Sequence, residues 1–358
     1  MNLNKSTKMK MLNRLSWMVG LTLVAGMSLM SCTKEGPAGL AGKDGKDGKD
    51  GEDGIDGQDG TATCITCHDN TQALSARTMQ WENSFHATGG AFNRNTGECA
   101  VCHTSQGYRG KLAGTYDPLA TGAKIDNPNP PNCYTCHDIH ETYTPADLAL
   151  TMSGAVALYN STESFDFGKG SQCASCHQGR TISNFPVIGG PDITITNTWY
   201  SVHHGPQANT ITGIGLFNIG EGLSNSLHTT MITDQCVTCH MAPGTGAESG
   251  GHTMWMRNAS NGLNTAGCIS CHTDAAALAA DVTALQTQVT DLLTELKAKL
   301  DAKGITAPGS DNSLSGTYPP VVAGALVNYR AISEDKSKGV HNPTYIVKLL
   351  QNSIAAIE

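Results

Sequence analysis

Thirteen cysteines and 13 histidines are the groups in this 358-residue chain best suited to chemistry. Twelve of the cysteines fall into six C-x-x-C-H units: Cys64-Cys67-His68, Cys99-Cys102-His103, Cys133-Cys136-His137, Cys173-Cys176-His177, Cys236-Cys239-His240 and Cys268-Cys271-His272. Two thiols in this spacing can form thioethers with the two vinyl groups of a porphyrin, and the next histidine then lies under the iron. Zinc ribbons also use paired C-x-x-C units, but zinc does not require a histidine directly after the second cysteine every time. Redox dithiols fail for the same reason, and no motif cysteine is left for a disulfide. The units predict six covalently attached haems c, with His68, His103, His137, His177, His240 and His272 as proximal iron ligands.

Seven histidines remain: His86, His140, His203, His204, His228, His252 and His341. Six irons closed on both faces by imidazole need six of them. Because His203 and His204 are adjacent, six separate places in the chain carry a spare histidine. A lone non-motif histidine is ordinarily a surface or core residue, but here six irons need partners. Methionine is the rival sixth ligand and would raise the potential. Met231, Met241, Met254 and Met256 stand near motifs, but the histidine count already closes the set. His140 follows His137 by three residues, so a helix there would project both from one face toward different haems. His341 precedes Asn342-Pro343, an expected N-cap and N1 pair. His252 follows Gly250-Gly251, which lets backbone approach closely.

The segments WENSFHA, CYTCHDIHETYTPAD, CASCHQGR, HHGPQA, NSLH, CVTCHM, GGHT and EDKSKGVHNPTY resemble the extracytoplasmic multihaem c-type cytochromes related to the nitrite reductase and hydroxylamine oxidoreductase superfamily. The resemblance implies distal haem ligation by His86, His140, His228, His252 and His341, with one of His203 and His204. The ammonia-forming nitrite reductases hold their catalytic haem through C-x-x-C-K, and this chain has no such unit. The resemblance therefore favours electron transfer over catalysis.

These ligands need elements to carry them, and the composition says which kind. Aromatic residues are 5% of the chain and glycines number 40, so few large side chains are available to build a core. Porphyrin faces would fill it instead. The expected fold is mainly α with extensive loops, a haem-packed cytochrome with little or no β-sheet. Residues 62–273 form the expected hexahaem region. From 274 to 303, Leu278, Val282, Leu285, Val289, Leu292 and Leu296 repeat at helical steps, and Gly304 ends the run. That stripe suits a coiled-coil seam or packing against further helices around 320–332 and 343–357; the second reading is preferred, since a tail carrying His341 must fold back onto the haems.

The N-terminus reads as a signal segment. Lys5, Lys8, Lys10 and Arg14 precede an apolar run from Met18 to Met30, too short to span a bilayer. Leu29-Met30-Ser31-Cys32 is similar to a lipobox, so Cys32 is the expected lipidated first residue of the mature chain. Every third residue from Gly36 to Gly60 is glycine, a collagen period, read here as a hydrophilic tether.

Beyond residue 31 the chain has 19 basic and 31 acidic residues, a balance of −12. That argues against nucleic-acid partners and against electrostatic membrane binding. A bis-histidine haem with ionised propionates adds about −1 when ferric and about −2 when ferrous. The expected partners are redox proteins with basic patches, with the membrane reached through the N-terminal lipid. Arg180 could pair with a propionate. The expected function is electron relay in the cell envelope or at the cell surface. The runner-up is a reductase or oxidase of a small nitrogen or sulfur oxyanion with one open iron. Homo-oligomers, including a haem filament with a histidine crossing between subunits, remain open at this level.

Overall fold

The computed structural model describes Cys67, His68 and residues 72–244 and 246–358. The signal segment, Cys32, the 36–60 repeat and Cys64 lie outside the described residues. The described residues belong to one compact unit. Among the described residues no helix is long and apolar enough to cross a membrane.

The unit is mainly helical. Short helices come first: α1 (Gln72–Glu82), α2 (Phe85–Thr88), α3 (Gly97–His103), α4 (Ser105–Leu112), α5 (Cys133–Cys136), α6 (Ser171–Ala174), α7 (Gln207–Thr212), α8 (Leu227–Met231) and α9 (Cys236–His240). Three longer ones follow, α10 (Ala275–Ala302), α11 (Pro320–Asp335) and α12 (Pro343–Ala356). The β-structure is slight. Strand β1 (Val156–Ala157) pairs antiparallel with β2 (Ser164–Phe165), and β3 (Ile193–Ile195) with β4 (Gly316–Tyr318), Ile193 opposite Tyr318.

Local chemistry sets the long helices. Asp274 caps α10, its Oδ1 accepting from the backbone N–H groups of Ala276 and Ala277 at 3.0 and 2.9 Å, which satisfies two donors of the first turn. The helix stops before Gly304, whose φ is +70°. Pro320 opens α11 and Pro343 opens α12 at positions where a missing N–H costs nothing.

The apolar stripe of α10 packs within the chain and along its cavity. Its C-terminal half, Val289, Leu296 and Leu300, is fully buried among Val322–Ile332 of α11 and Tyr345–Ile354 of α12. Its N-terminal residues Leu278, Val282 and Leu285 line the cavity described below. α11 is buried nearly all round because residues 182–219 cover the side that α12 leaves open. The amide of Asn328 there is fully used: Oδ1 accepts from Phe217 N at 3.0 Å, and Nδ2 donates to Phe217 O and Ser353 Oγ at 2.8 and 3.0 Å. Gly324 permits this approach, since a Cβ would meet the Phe217 ring at 2.1 Å.

Candidate metal centres

Each described motif is wound into a single turn. Helices α3, α5, α6 and α9 carry the second to fifth motifs or their first residues. The turn is closed by the histidine itself: His137, His177 and His272 donate backbone N–H to the carbonyls of Cys133, Cys173 and Cys268 at 2.9, 2.8 and 2.9 Å. Two cysteines three apart then share a face, with the histidine beside them. At α5, Asn132 and Thr135 form a capping box, with Asn132 N donating to Thr135 Oγ1 at 2.8 Å.

Folding brings each motif histidine opposite one non-motif histidine. Ring centres are 6.2 Å apart for His68 and His140, 6.3 Å for His103 and His203, and 6.3 Å for His137 and His252. They are 6.0 Å apart for His177 and His86, 6.2 Å for His240 and His341, and 6.2 Å for His272 and His228. A metal about 2.0 Å from one nitrogen of each of two opposed imidazoles, with each nitrogen about 1.1 Å from its ring centre, separates the centres by roughly 6.2 Å. All six pairs have the spacing of two rings held by one metal.

The thirteenth histidine is placed differently. His204 has Nδ1 2.8 Å from Glu334 Oε2 and its ring tilts against Trp199, ring centres 5.0 Å apart, with the Arg330 guanidinium 4.0 Å from the Trp199 ring centre. His203 is thus the member of the adjacent pair that meets a motif histidine. His137 and His140 do not share a helical face as their spacing suggested. α5 ends at Cys136, and His140 adopts φ +66°, which turns it toward His68 while His137 faces His252. His203 likewise has φ +72°. Two of the six non-motif partners therefore sit in a backbone region that non-glycine residues seldom adopt.

Several rings are oriented by their second nitrogen. Nδ1 of His137, His240 and His228 lies 2.8, 2.8 and 2.9 Å from the carbonyls of Leu148, Met254 and Val340. A carbonyl only accepts, so the proton is on Nδ1 and the Nε2 lone pair is free for a metal. His341 Nδ1 donates to Asp335 Oδ1 at 2.6 Å, and His177 Nδ1 faces Gln207 Oε1 at 3.4 Å. At two of the non-motif partners burial favours the neutral form that ligates. It lowers His86 and His203 to about 4 each, helped by neighbouring His177 and Arg180 respectively. Sequence reasoning passed over these supporting groups, although Asp335 stands six residues before His341 in EDKSKGVHNPTY.

Asn342 and Pro343 take the N-cap and N1 positions of α12, but the Asn342 side chain makes no capping hydrogen bond. Asn342 at the start of α12 is fully buried, donating to Ile211 O and Asn225 Oδ1 at 3.1 and 2.8 Å and accepting from Ser226 N at 2.8 Å. That ties His341 to the segment leading into His228. Gly251 has φ +53°, and a Cβ there would meet Gln80 Oε1 at 2.4 Å, the same oxygen that accepts from His252 N at 3.0 Å.

The pairs share one space. A cavity of ≈ 3320 Å³ is lined by Cys67, by the other ten described motif cysteines and by all thirteen histidines. A single small-ligand pocket is about 300–1,000 Å³, so this volume suits several cofactors. The thiols of Cys102 and Cys176 are in contact, as are those of Cys173 and Cys236. Cys136 lies near Cys173 and Cys176, and Cys239 near Cys268. Attachment sites therefore adjoin one another, with Cys173–Cys176 central. A buried polar network links three motifs there: Gln172 Nε2 donates to Tyr108 OH at 3.0 Å, Thr151 Oγ1 donates to Gln172 Oε1 at 2.9 Å, and Tyr108 OH meets Ser175 Oγ at 3.1 Å. Arg180 lines the cavity and pairs with Glu98 at 2.9 Å.

This set of C-x-x-C cysteines, paired imidazoles and a shared apolar-lined cavity fits porphyrin iron. No family model and no curated protein matches the chain. A solved structure does: the outer cell wall cytochrome OcwA, with a TM-score of 0.52 at 23% identity, over 79% of this chain and 50% of that one. The fold is therefore that of a multihaem cytochrome. The chain spans about half the length of the protein it matches.

Proposed function

We propose that this chain is a hexahaem c-type cytochrome that relays electrons, each iron held between two histidines. The observation that carries the reading is the set of six histidine pairs with ring centres 6.0 to 6.3 Å apart. In this reading each C-x-x-C unit binds one porphyrin, and His140, His203, His252, His86, His341 and His228 are distal partners to the first through sixth motif histidines. Haem c supplies reversible one-electron chemistry at each site.

The protein's own residues do the rest. Carbonyls and side chains at Nδ1 fix the tautomers, each pair of opposed rings would hold one iron, and the adjoining thiols keep successive sites close. Irons held between two imidazoles would offer small molecules no open face, which favours relay over chemistry on an oxyanion. All six distal histidines come from the same chain, so ligation needs no histidine from a second subunit.

The cell envelope or surface is the proposed location, supported by the export-type N-terminus, the lipobox-like Cys32 and a structural neighbour named for the outer cell wall. Residues 36–60 would tether the haem body to the membrane, and its acidic surface would favour basic redox partners. The relationship to the nitrite reductase and hydroxylamine oxidoreductase superfamily rests on the sequence segments above.

The test is intact mass with EPR and visible spectroscopy on oxidised protein. Six covalent haems, all low-spin and indifferent to nitrite and cyanide, are expected. A high-spin haem that binds either ligand would overturn the closed-relay reading.

A further inference from the structure

Asp335 closes α11 with its side chain 1% exposed, facing His341. Its Oδ1 accepts from His341 Nδ1 and from Thr210 Oγ1, both at 2.6 Å, and its Oδ2 accepts from Ser337 Oγ. Its backbone carbonyl accepts from Gln207 Nε2 at 3.1 Å, the amide whose oxygen faces His177. One residue thus supports the His240–His341 pair directly and steadies the neighbouring His177.

The other paired histidines whose Nδ1 has a partner among the described residues face neutral groups. These are the carbonyls of Leu148, Met254 and Val340, the Gln207 amide and, for His140, the Tyr134 hydroxyl at 2.7 Å. A carboxylate differs from these in two ways. It draws the Nδ1 proton more strongly, which makes Nε2 a better electron donor. It also places a full negative charge in a low-dielectric interior, which stabilises the more positive metal. Burial opposes this charge, and donation from His341 Nδ1, Thr210 Oγ1 and Ser337 Oγ offsets it.

We infer that Asp335 is a positioning residue that lowers the reduction potential of the haem held by His240 and His341. The inference rests on the bis-histidine reading above. An electron on the chain would then reside less at this site than it would without the carboxylate.

The experiment is a potentiometric titration of the purified holoprotein, followed by visible absorption and EPR, for the native chain, Asp335→Asn and Ser337→Ala. Asparagine keeps an acceptor for Nδ1 and removes the charge. The expected result is one of six components moving upward by at least tenfold in its redox equilibrium, about 59 mV for one electron, with five unmoved and all six low-spin. Ser337→Ala removes a donor from Oδ2, leaves more charge facing His341 and should move the same component downward. If Asp335→Asn carries six low-spin haems and nothing moves, the residue is only structural and the inference fails. If Asp335→Asn does not take up six haems, Ser337→Ala decides: a downward shift supports the inference and no shift overturns it. A native protein without six low-spin haems would instead sink the ligand reading beneath it.

Discussion

Around α10, α11 and α12 the chain buries 26 apolar residues in one contiguous cluster. Around the motifs the buried apolar cluster has six, Val156, Leu158, Phe167, Ala174, Ala208 and Ile211. The first region is held by side chains. The second surrounds a cavity of ≈ 3320 Å³, and few buried apolar side chains pack against one another there. A single helix shows both regimes: α10 lays Val289, Leu296 and Leu300 into the core and turns Leu278 and Val282 to the cavity. The difference fits the proposed haems, whose faces would stand where aromatic side chains otherwise pack in a chain with 5% aromatic residues.

The sharpest way to break this comparison is to remove one attachment site from the centre. Cys173→Ala with Cys176→Ala, at the motif whose thiols touch two other motifs, should yield protein that loses more than one haem by mass and is protease-sensitive across 97–240. Loss of a single haem with unchanged protease resistance would show that the motif region packs independently of its cofactors.

A cut into the other region should behave oppositely. Leu296 is 0% exposed, and Leu296→Ala should cost about 2–5 kcal/mol in denaturant unfolding. The Soret and EPR spectra of the folded variant should stay as they are. Spectral change in proportion to the stability loss would mean the two regions do not divide the work as described.

Within the motif region, the adjacent histidines sharpen the assignment. His203→Ala should convert one low-spin haem to high-spin, whereas His204→Ala should leave six low-spin haems and lose only the Trp199 and Glu334 contacts, the latter worth about 0–1 kcal/mol at an exposed site. The reverse pattern would exchange their roles.

The smallest expected effect is at the start of α10. Asp274→Ala removes the two capping hydrogen bonds and should lower stability by about 1 kcal/mol without shifting any haem potential.

Much of this protein is legible in its residues. The C-x-x-C-H units, the count of spare histidines, the α10 helix with its Asp274 and Gly304 ends, and the Asn342-Pro343 start of α12 are all local patterns, and local patterns are set by neighbours in sequence. The turn at His140 was not legible, because its positive φ breaks the helix that the His137–His140 spacing suggested. Nor was Asp335, since nothing in a lone carboxylate before a histidine says that both will be buried together.

The sequence by itself determined how many motif and partner histidines there are and which stretches become helices, because attachment chemistry and helix caps act over a few residues. Only the tertiary structure decided which histidine meets which. His68 with His140 spans 72 positions of chain, and His86 with His177 spans 91. Such pairings depend on how the loops return around a shared cavity, and the choice of His203 over His204 rests on one backbone angle and on Glu334, far along the chain, holding the other ring.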